Sequence, residues 1–160
     1  MSLDPPMTYS KAGDALTKGF ESCRLVAYVD PATHGNPMTI GYGCTGPGIV
    51  PGTVWTQAQA DADLAAREAH LANCINAMVN VALTQGEFDA LVDFGYNVGV
   101  GALQHSTLLR LLNAGDYAAA AAEFEKWDRA GGQVVAGLLR RRLAEKVEFT
   151  GMLVNGAVPC

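Results

Sequence analysis

The strongest constraint on the fold is a change in the character of the sequence at residue 56. Before it, short apolar runs alternate with segments rich in glycine and proline, whereas after it apolar residues recur mostly at helical spacing. The change is marked by Thr56-Gln57-Ala58-Gln59, which has the threonine-to-glutamine spacing of a helix capping box. This order predicts an α+β fold that is mainly helical.

The first 55 residues predict one helix and a small antiparallel sheet. Ser10 is a suitable N-cap, and the apolar residues behind it follow an i, i+3, i+4 pattern. The later turn contains Gly35-Asn36-Pro37, which excludes a regular element there. The predicted elements are a helix over residues 10–20, strands over 24–30 and 38–43, a turn over 31–37, and a loop over 44–52 with room for a third strand.

The sequence from residue 56 onward predicts helices separated by short breaks. The first of them, residues 56–80, is long enough to connect two lobes. Further helices are expected behind a second capping box at Thr84–Glu87, behind Ser106 or Thr107, behind Asp116, and over Val134–Phe149 before Gly151. No repeat or low-complexity linker divides the chain. We therefore expect one domain over residues 1–160, with a helix and β lobe (10–55), a connecting helix (56–80), a helical lobe (81–150) and a tail (151–160).

Charge and hydropathy exclude two classes of partner. The formal net charge of −5 is unfavourable for nucleic-acid binding, which depends on cation–phosphate contacts. No apolar run is long enough to cross a bilayer, and the N-terminus lacks the cationic and apolar regions of a signal peptide. We expect no stable membrane insertion.

Cysteine and histidine give no metal-binding spacing. Reduced thiols are the favoured interpretation of the four cysteines, and a Cys23–Cys44 disulfide is the alternative. Trp55 and Trp127 are expected to pack rather than to stack on a ligand. Of the adjacent residues Arg140-Arg141-Arg142, one or two should be solvated and one should make a structural contact.

Three polar residues end or begin predicted elements in the first quarter of the chain. Glu21 follows the first helix, Asp30 ends the first strand, and Thr39 lies on the return strand. Glycoside hydrolysis needs one protonated acid and one ionised carboxylate. Phe20 and an apolar helix face favour the protonated form of Glu21, a polar turn keeps Asp30 charged, and the Thr39 hydroxyl could hold a water. On these residues alone, ordinary structural roles are the simpler interpretation.

A longer sequence motif favours catalytic roles for these three residues over structural ones. Glu21 and Asp30 are separated by eight residues and are followed by Thr39-Ile40-Gly41-Tyr42-Gly43, which strongly resembles the motif of the phage lysozymes, or endolysins. In that family five residues lie between the Asp and the Thr, whereas here there are eight, which we interpret as a longer hairpin turn. Thr33 is the rival threonine, but only Thr39 precedes Ile-Gly-Tyr-Gly. Cys44 stands where many relatives have histidine.

The resemblance continues downstream and covers most of residues 15–149. It is carried by Phe94–Gly99, Ser106–Arg110, Leu112–Tyr117, Trp127 with Gly131-Gly132, Gly137-Leu138, and Arg141-Arg142 with Glu145. The resemblance implies a lysozyme-like fold, with a small β-hairpin lobe and a larger helical lobe joined by a long helix. The cleft should lie between the two lobes.

The resemblance also implies a reaction and its residues. Glu21 would be the general acid on the β-1,4 bond between N-acetylmuramic acid and N-acetylglucosamine, Asp30 would support the transition state, and Thr39 would position water. Tyr42 would bind substrate, as would Asn97 unless that side chain caps the backbone instead. The implied partner is a peptidoglycan glycan strand, with no metal or organic cofactor.

The biological setting follows from the same resemblance. A monomer would accumulate in the host bacterial cytoplasm and act on the periplasmic cell wall after release, in host lysis by a phage or prophage. Two other functions stay open. One is a lytic transglycosylase that cleaves the same bond with one acid/base, and the other is a non-catalytic wall-binding protein with a lysozyme-like fold.

Overall fold

The computed structural model describes residues 3–30 and 38–151. Its elements follow the predicted order of helix, small sheet and helices. They are α1 (Lys11–Phe20), β1 (Arg24–Tyr28), β2 (Thr39–Gly41), β3 (Cys44–Thr45), α2 (Gln57–Met78), α3 (Gln85–Val98), α4 (Val100–Gln104), α5 (Thr107–Asn113), α6 (Tyr117–Glu123), a 3-10 helix (Phe124–Trp127), β4 (Arg129–Ala130), β5 (Gln133–Val134) and α7 (Ala136–Thr150). The mainly helical α+β fold is thus confirmed.

The predicted hairpin is present as the first two strands of a three-stranded antiparallel sheet ordered β1-β2-β3. Both paired strands are shorter than predicted, because β1 ends at Tyr28 and β2 occupies only Thr39–Gly41. Tyr28 pairs with Thr39 across the sheet. The predicted turn over residues 31–37, with Thr33 and His34, lies outside the described residues.

The strand β1 is bulged. From Arg24 to Tyr28 it takes four steps, while β2 takes two steps between their partners Gly41 and Thr39. The irregular part of β1 bonds elsewhere, because the Ala27 N–H donates to the Thr53 carbonyl oxygen at 2.9 Å. A bulge bends its strand, so the two ends of β1 lie closer together than in a straight strand.

The turn after β2 depends on a glycine. Gly41 has a φ of +61°, and a Cβ placed on it would lie 3.0 Å from the Trp55 ring. Only glycine takes this conformation without strain and leaves room for the indole. Trp55 packs beneath the sheet, as expected for a structural tryptophan.

Local capping signals define the long helices. The capping boxes of Thr56 with Gln59 and of Thr84 with Glu87 are both formed. Ser106, rather than Thr107, is the N-cap of α5. The last helix ends at Gly151 in the left-handed conformation, as predicted. The separate helix α4 was not predicted, since the glycines around it obscure the periodicity.

Two hydrophobic clusters pack against opposite parts of α2. The smaller one contains Tyr42, Ala60 and Leu64 beneath the sheet. The larger one fills the helical part and includes Phe94, against which the Trp127 ring packs edge-on at 5.3 Å. Trp127 is therefore a packing residue, as expected. The α2 helix carries buried side chains for both clusters.

The described residues contain three cysteines, Cys23, Cys44 and Cys74, and all three are free thiols. The alternative Cys23–Cys44 disulfide is thus not formed. Among residues 3–30 and 38–151, no group of three or more His, Cys, Asp or Glu side chains is placed to hold a metal ion. No described helix has the length and apolar character needed to cross a bilayer.

Candidate active site

Glu21 lies where α1 ends. Its backbone leaves the helical conformation with φ −99° and ψ 134°, and its N–H still donates to the Thr17 carbonyl oxygen at 3.0 Å. This capping position turns the chain from α1 into β1 and fixes the glutamate at the junction. The side chain is 22% exposed, and its Oε1 accepts a hydrogen bond from Nη1 of Arg141.

Arg141 is a buried cation that forms two hydrogen bonds with the Asp93 carboxylate. Its Nε donates to Asp93 Oδ2 at 3.0 Å, and its Nη2 donates to Asp93 Oδ1 at 2.8 Å. Burial lowers the pKa of Arg141, but the hydrogen bonds and charge of Asp93 and then of Glu21 outweigh it and raise that pKa above its ordinary value. Arg141 therefore carries a permanent positive charge at the Glu21 carboxylate.

This environment differs from the apolar one that the sequence predicted for Glu21. Phe20 is present, but its ring lies 5.6 Å from the Arg141 guanidinium carbon. The group in contact with the carboxylate is a cation that comes from 120 residues further along the chain. Flanking sequence alone could not reveal a partner at that separation.

A second buried arginine extends the network. Arg142 Nη2 donates to Glu145 Oε1 at 2.6 Å and to Asn97 Oδ1 at 3.0 Å. Burial raises the pKa of Glu145, and its Oε1 also lies 3.5 Å from Nε of Arg141. Only Arg140 of the three adjacent arginines is exposed. Two of them make structural contacts, where one was expected, because α7 packs closely against α3.

Thr39 is the first residue of β2 and is only 3% exposed. Within the described part of the chain its Oγ1 has no hydrogen-bond partner. A buried hydroxyl without a partner is rare in folded proteins. Its strand partner is Tyr28, and Asp30 follows two residues later with a partly buried side chain. The register therefore places Thr39 beside the end of β1 from which Asp30 emerges.

Tyr42 and Asn97 both have partners within the protein. The Tyr42 hydroxyl donates to Asp61 Oδ1 at 3.1 Å and accepts from Gln57 Nε2 at 3.0 Å. The exposed Asn97 accepts from Arg142 and so makes no cap through that oxygen. The role of both residues in substrate binding stays a prediction.

Sequence reasoning missed the part that Arg141, Asp93 and Glu145 play around Glu21. One signal was a charged residue inside an apolar run, since Asp93 stands between Val92 and Phe94. The other was the spacing of Glu145 three and four residues after Arg142 and Arg141, which is typical of an ion-paired helix face. Neither signal identifies Glu21 as a contact of Arg141.

Comparison with known sequences gives relatives over most of the chain. The chain is 43% identical over 143 residues to an endolysin of Bacillus phage B103, covering 89% of this chain and 54% of that protein. It is 41% identical over 147 residues to an endolysin of Acyrthosiphon pisum secondary endosymbiont phage 1, covering 89% and 98%. The chain thus spans about half the length of the Bacillus phage relative and nearly all of the second.

Solved structures agree with the sequence relatives. The muramidase domain of SpmX from Asticaccaulis excentricus matches with a TM-score of 0.80 and 38% identity, over 89% of this chain and 97% of that one. An endolysin from Escherichia coli O157:H7 phage FAHEc1 matches with a TM-score of 0.79 and 33% identity, over 96% and 98%. The family model described as phage lysozyme matches residues 18–145. The chain therefore belongs to the phage lysozyme family.

Proposed function

We propose that this chain is a phage endolysin that hydrolyses the β-1,4 bond between N-acetylmuramic acid and N-acetylglucosamine in peptidoglycan, that is, a lysozyme. The observation that carries the proposal is the placement of the three family positions. Glu21 stands at the end of α1 against a fixed cation, and Thr39 stands beside the end of β1 that leads to Asp30. These are the positions that the family motif assigns to the acid, the carboxylate and the threonine.

Glu21 acts as the general acid. It gives its proton to the glycosidic oxygen while the bond from the anomeric carbon to that oxygen breaks. The residue left behind is a carboxylate, and the Arg141 guanidinium already contacts it. A charge-assisted hydrogen bond of this kind stabilises the ionised product of the proton transfer without any rearrangement of the protein.

Asp30 and Thr39 act on the sugar ring and on the attacking water. The Asp30 carboxylate supports the positive charge that develops on the sugar ring and orients the attacking water. The Thr39 hydroxyl, buried and without a protein partner among the described residues, has hydrogen-bonding capacity free for that water. The water adds its hydroxyl group to the anomeric carbon and releases its other proton, which replaces the one that Glu21 gave to the leaving oxygen, so hydrolysis adds one water across the cleaved bond.

The remaining assignments rest on the family. Tyr42 and Asn97 are proposed to contact the glycan strand, and the chain is proposed to act as a monomer and as one lysozyme domain. Its relatives include a protein named SAR-endolysin from Bacteriophage PS119, with 37% identity over 80% of this chain and 75% of that protein. We place this chain in the host cytoplasm first and at the periplasmic wall after release.

Clearing of permeabilised Gram-negative cells tests the proposal. Glu21→Gln keeps the shape of the side chain and removes its transferable proton, so the clearing rate should fall by about 100-fold or more. Glu125→Gln is the matched control, because that carboxylate is a surface partner of Lys146 and is 44% exposed. The control should clear at the wild-type rate. Unchanged clearing by Glu21→Gln would refute the assignment of the acid.

A further inference from the structure

Three carboxyl groups converge on the Arg141 guanidinium. Glu21 accepts from Nη1, Asp93 accepts from Nε and Nη2, and Glu145 Oε1 lies 3.5 Å from Nε. The Asp93 side chain is fully buried and that of Arg141 is 4% exposed. Solvent therefore screens the Arg141–Asp93 pair very little, and the charge of one group acts strongly on the other.

Each of the two adjacent buried arginines has its own carboxyl partner. Arg141 is bonded to Asp93 through Nε and Nη2, and Arg142 Nη2 lies 2.6 Å from Glu145 Oε1. The remaining nitrogen of Arg141, Nη1, donates to Glu21. Asp93 is therefore the carboxyl group that is placed to offset the positive charge of Arg141 beside Glu21.

Compensation of the positive charge of Arg141 matters for an acid catalyst. An uncompensated arginine beside Glu21 would favour the ionised carboxylate, and the acid would lose its proton before the substrate bound. An arginine compensated by Asp93 still donates its hydrogen bond but attracts the Glu21 charge less strongly. Glu21 can then hold its proton before the reaction and be stabilised as a carboxylate after it.

We propose that Asp93 is a positioning residue of the reaction, which compensates the charge of Arg141 and so keeps Glu21 competent as an acid. This inference rests on the proposed function of Glu21. The Asp93 side chain is fully buried, so it acts through Arg141 and does not touch the substrate.

The other titratable groups around Glu21 do not offset the charge of Arg141 in the place of Asp93. From α3, Tyr96 also faces it, but burial raises the pKa of that phenol well above its ordinary value, so Tyr96 is neutral. From α7, Arg142 lies next to Arg141 in sequence and has its own partner in Glu145. On the β-lobe side, Asp30 is the proposed second carboxylate. Among these groups, Asp93 makes the closest paired contact with Arg141 besides Glu21 itself, through Nε at 3.0 Å and Nη2 at 2.8 Å.

The test is the pH profile of peptidoglycan hydrolysis by purified Asp93→Asn and Glu125→Gln. Asp93→Asn removes the compensating charge, so Glu21 should ionise more readily and the alkaline limb of kcat/KM should move down by about one pH unit. Glu125→Gln removes a surface carboxylate paired with Lys146, so its alkaline limb should stay at the wild-type pH. A loss of packing alone would lower activity at every pH without moving the limb.

Two results would overturn the inference: an unmoved alkaline limb in Asp93→Asn, or a limb in Glu125→Gln that moves as far as in Asp93→Asn. If Asp93→Asn does not fold, carbon-13 NMR of the wild-type glutamate carboxyl groups decides, since the Glu21 signal should be protonated at the pH of maximum activity, and an ionised Glu21 at that pH would refute the proposal. An inactive Glu21→Gln beside an unmoved Asp93→Asn profile would reject this inference alone. An active Glu21→Gln would reject the proposed function itself.

Discussion

At the scale of single residues, several polar atoms among the described residues are buried without the partners that burial normally demands, and two of them can be tested separately. Within the described part of the chain, Thr39 Oγ1 and Glu68 Oε1 have no hydrogen-bond partner, and their residues are 3% and 4% exposed. Leaving such a group unpaired costs about 1–3 kcal/mol. The two cases call for different explanations, because Thr39 stands at the proposed site and Glu68 stands on α2 away from it.

Thr39→Val tests whether the unpaired hydroxyl serves the reaction. Valine has nearly the same shape and removes only the unpaired oxygen, so the free energy of unfolding should stay the same or rise by about 1 kcal/mol. The hydrolysis rate should fall by about 100-fold if the hydroxyl holds the attacking water. Thr39→Ser, which keeps the hydroxyl, is the matched control. Wild-type activity in Thr39→Val would show that the hydroxyl has no such role.

Glu68→Gln tests a different consequence of burial. Glu68 lines a cavity of about 510 Å³ together with Asp14 and Lys18, and burial, then the charge of Asp14, raise its pKa to about 7. A carboxyl group with a raised pKa in the folded state favours folding only while it is protonated. Stability should therefore fall as the pH rises from about 4.3, the ordinary glutamate pKa, to about 7.

Urea unfolding measures this effect directly. At pH 8, Glu68→Gln should be more stable than wild type by about 1–2 kcal/mol, a value reduced for partial solvent screening, and at pH 4 the two should be equal. The exposed Glu125→Gln should not change stability at either pH. A variant that is less stable than wild type at pH 8 would contradict the raised pKa.

At the scale of elements, local sequence signals and the structure agree where the stabilising contacts are local. Both capping boxes, the Ser10 cap of α1 and the glycine that ends α7 were predicted, because each bonds residues within one or two turns. The contact between Glu21 and Arg141 was not predicted, because the two residues meet only when α1, α3 and α7 pack together. Likewise, the motif identified Thr39, but only the fold shows that its hydroxyl is buried and unpaired.

Gly41→Ala tests how far the turn after β2 fixes the sheet. An alanine would be strained at a φ of +61°, and its Cβ would lie 3.0 Å from the Trp55 ring. We expect a loss of about 1–3 kcal/mol in the free energy of unfolding. Gly48→Ala is the control, since a Cβ there meets nothing within 4 Å, and it should be close to wild type. Equal stability of the two variants would contradict this account of the turn.

At the scale of the whole molecule, the net charge of −5 opposes approach to an anionic wall. Salt screens this repulsion over a distance that falls to about 10 Å at 0.1 M. Wall clearing should therefore speed up as salt is raised from very low to moderate ionic strength, in an assay with all other conditions fixed. A steady decline in rate from the lowest salt concentration would contradict repulsion and indicate attraction between enzyme and wall.

The central claim is that Glu21 gives its proton to the bond between N-acetylmuramic acid and N-acetylglucosamine and that water completes the cleavage. Mass spectrometry of the fragments released from purified sacculi tests it most directly. Wild type should release fragments that carry one added water and end in a reducing N-acetylmuramic acid, and Glu21→Gln should release almost none. Fragments that end in a 1,6-anhydro sugar, or equal release by the variant, would contradict the account.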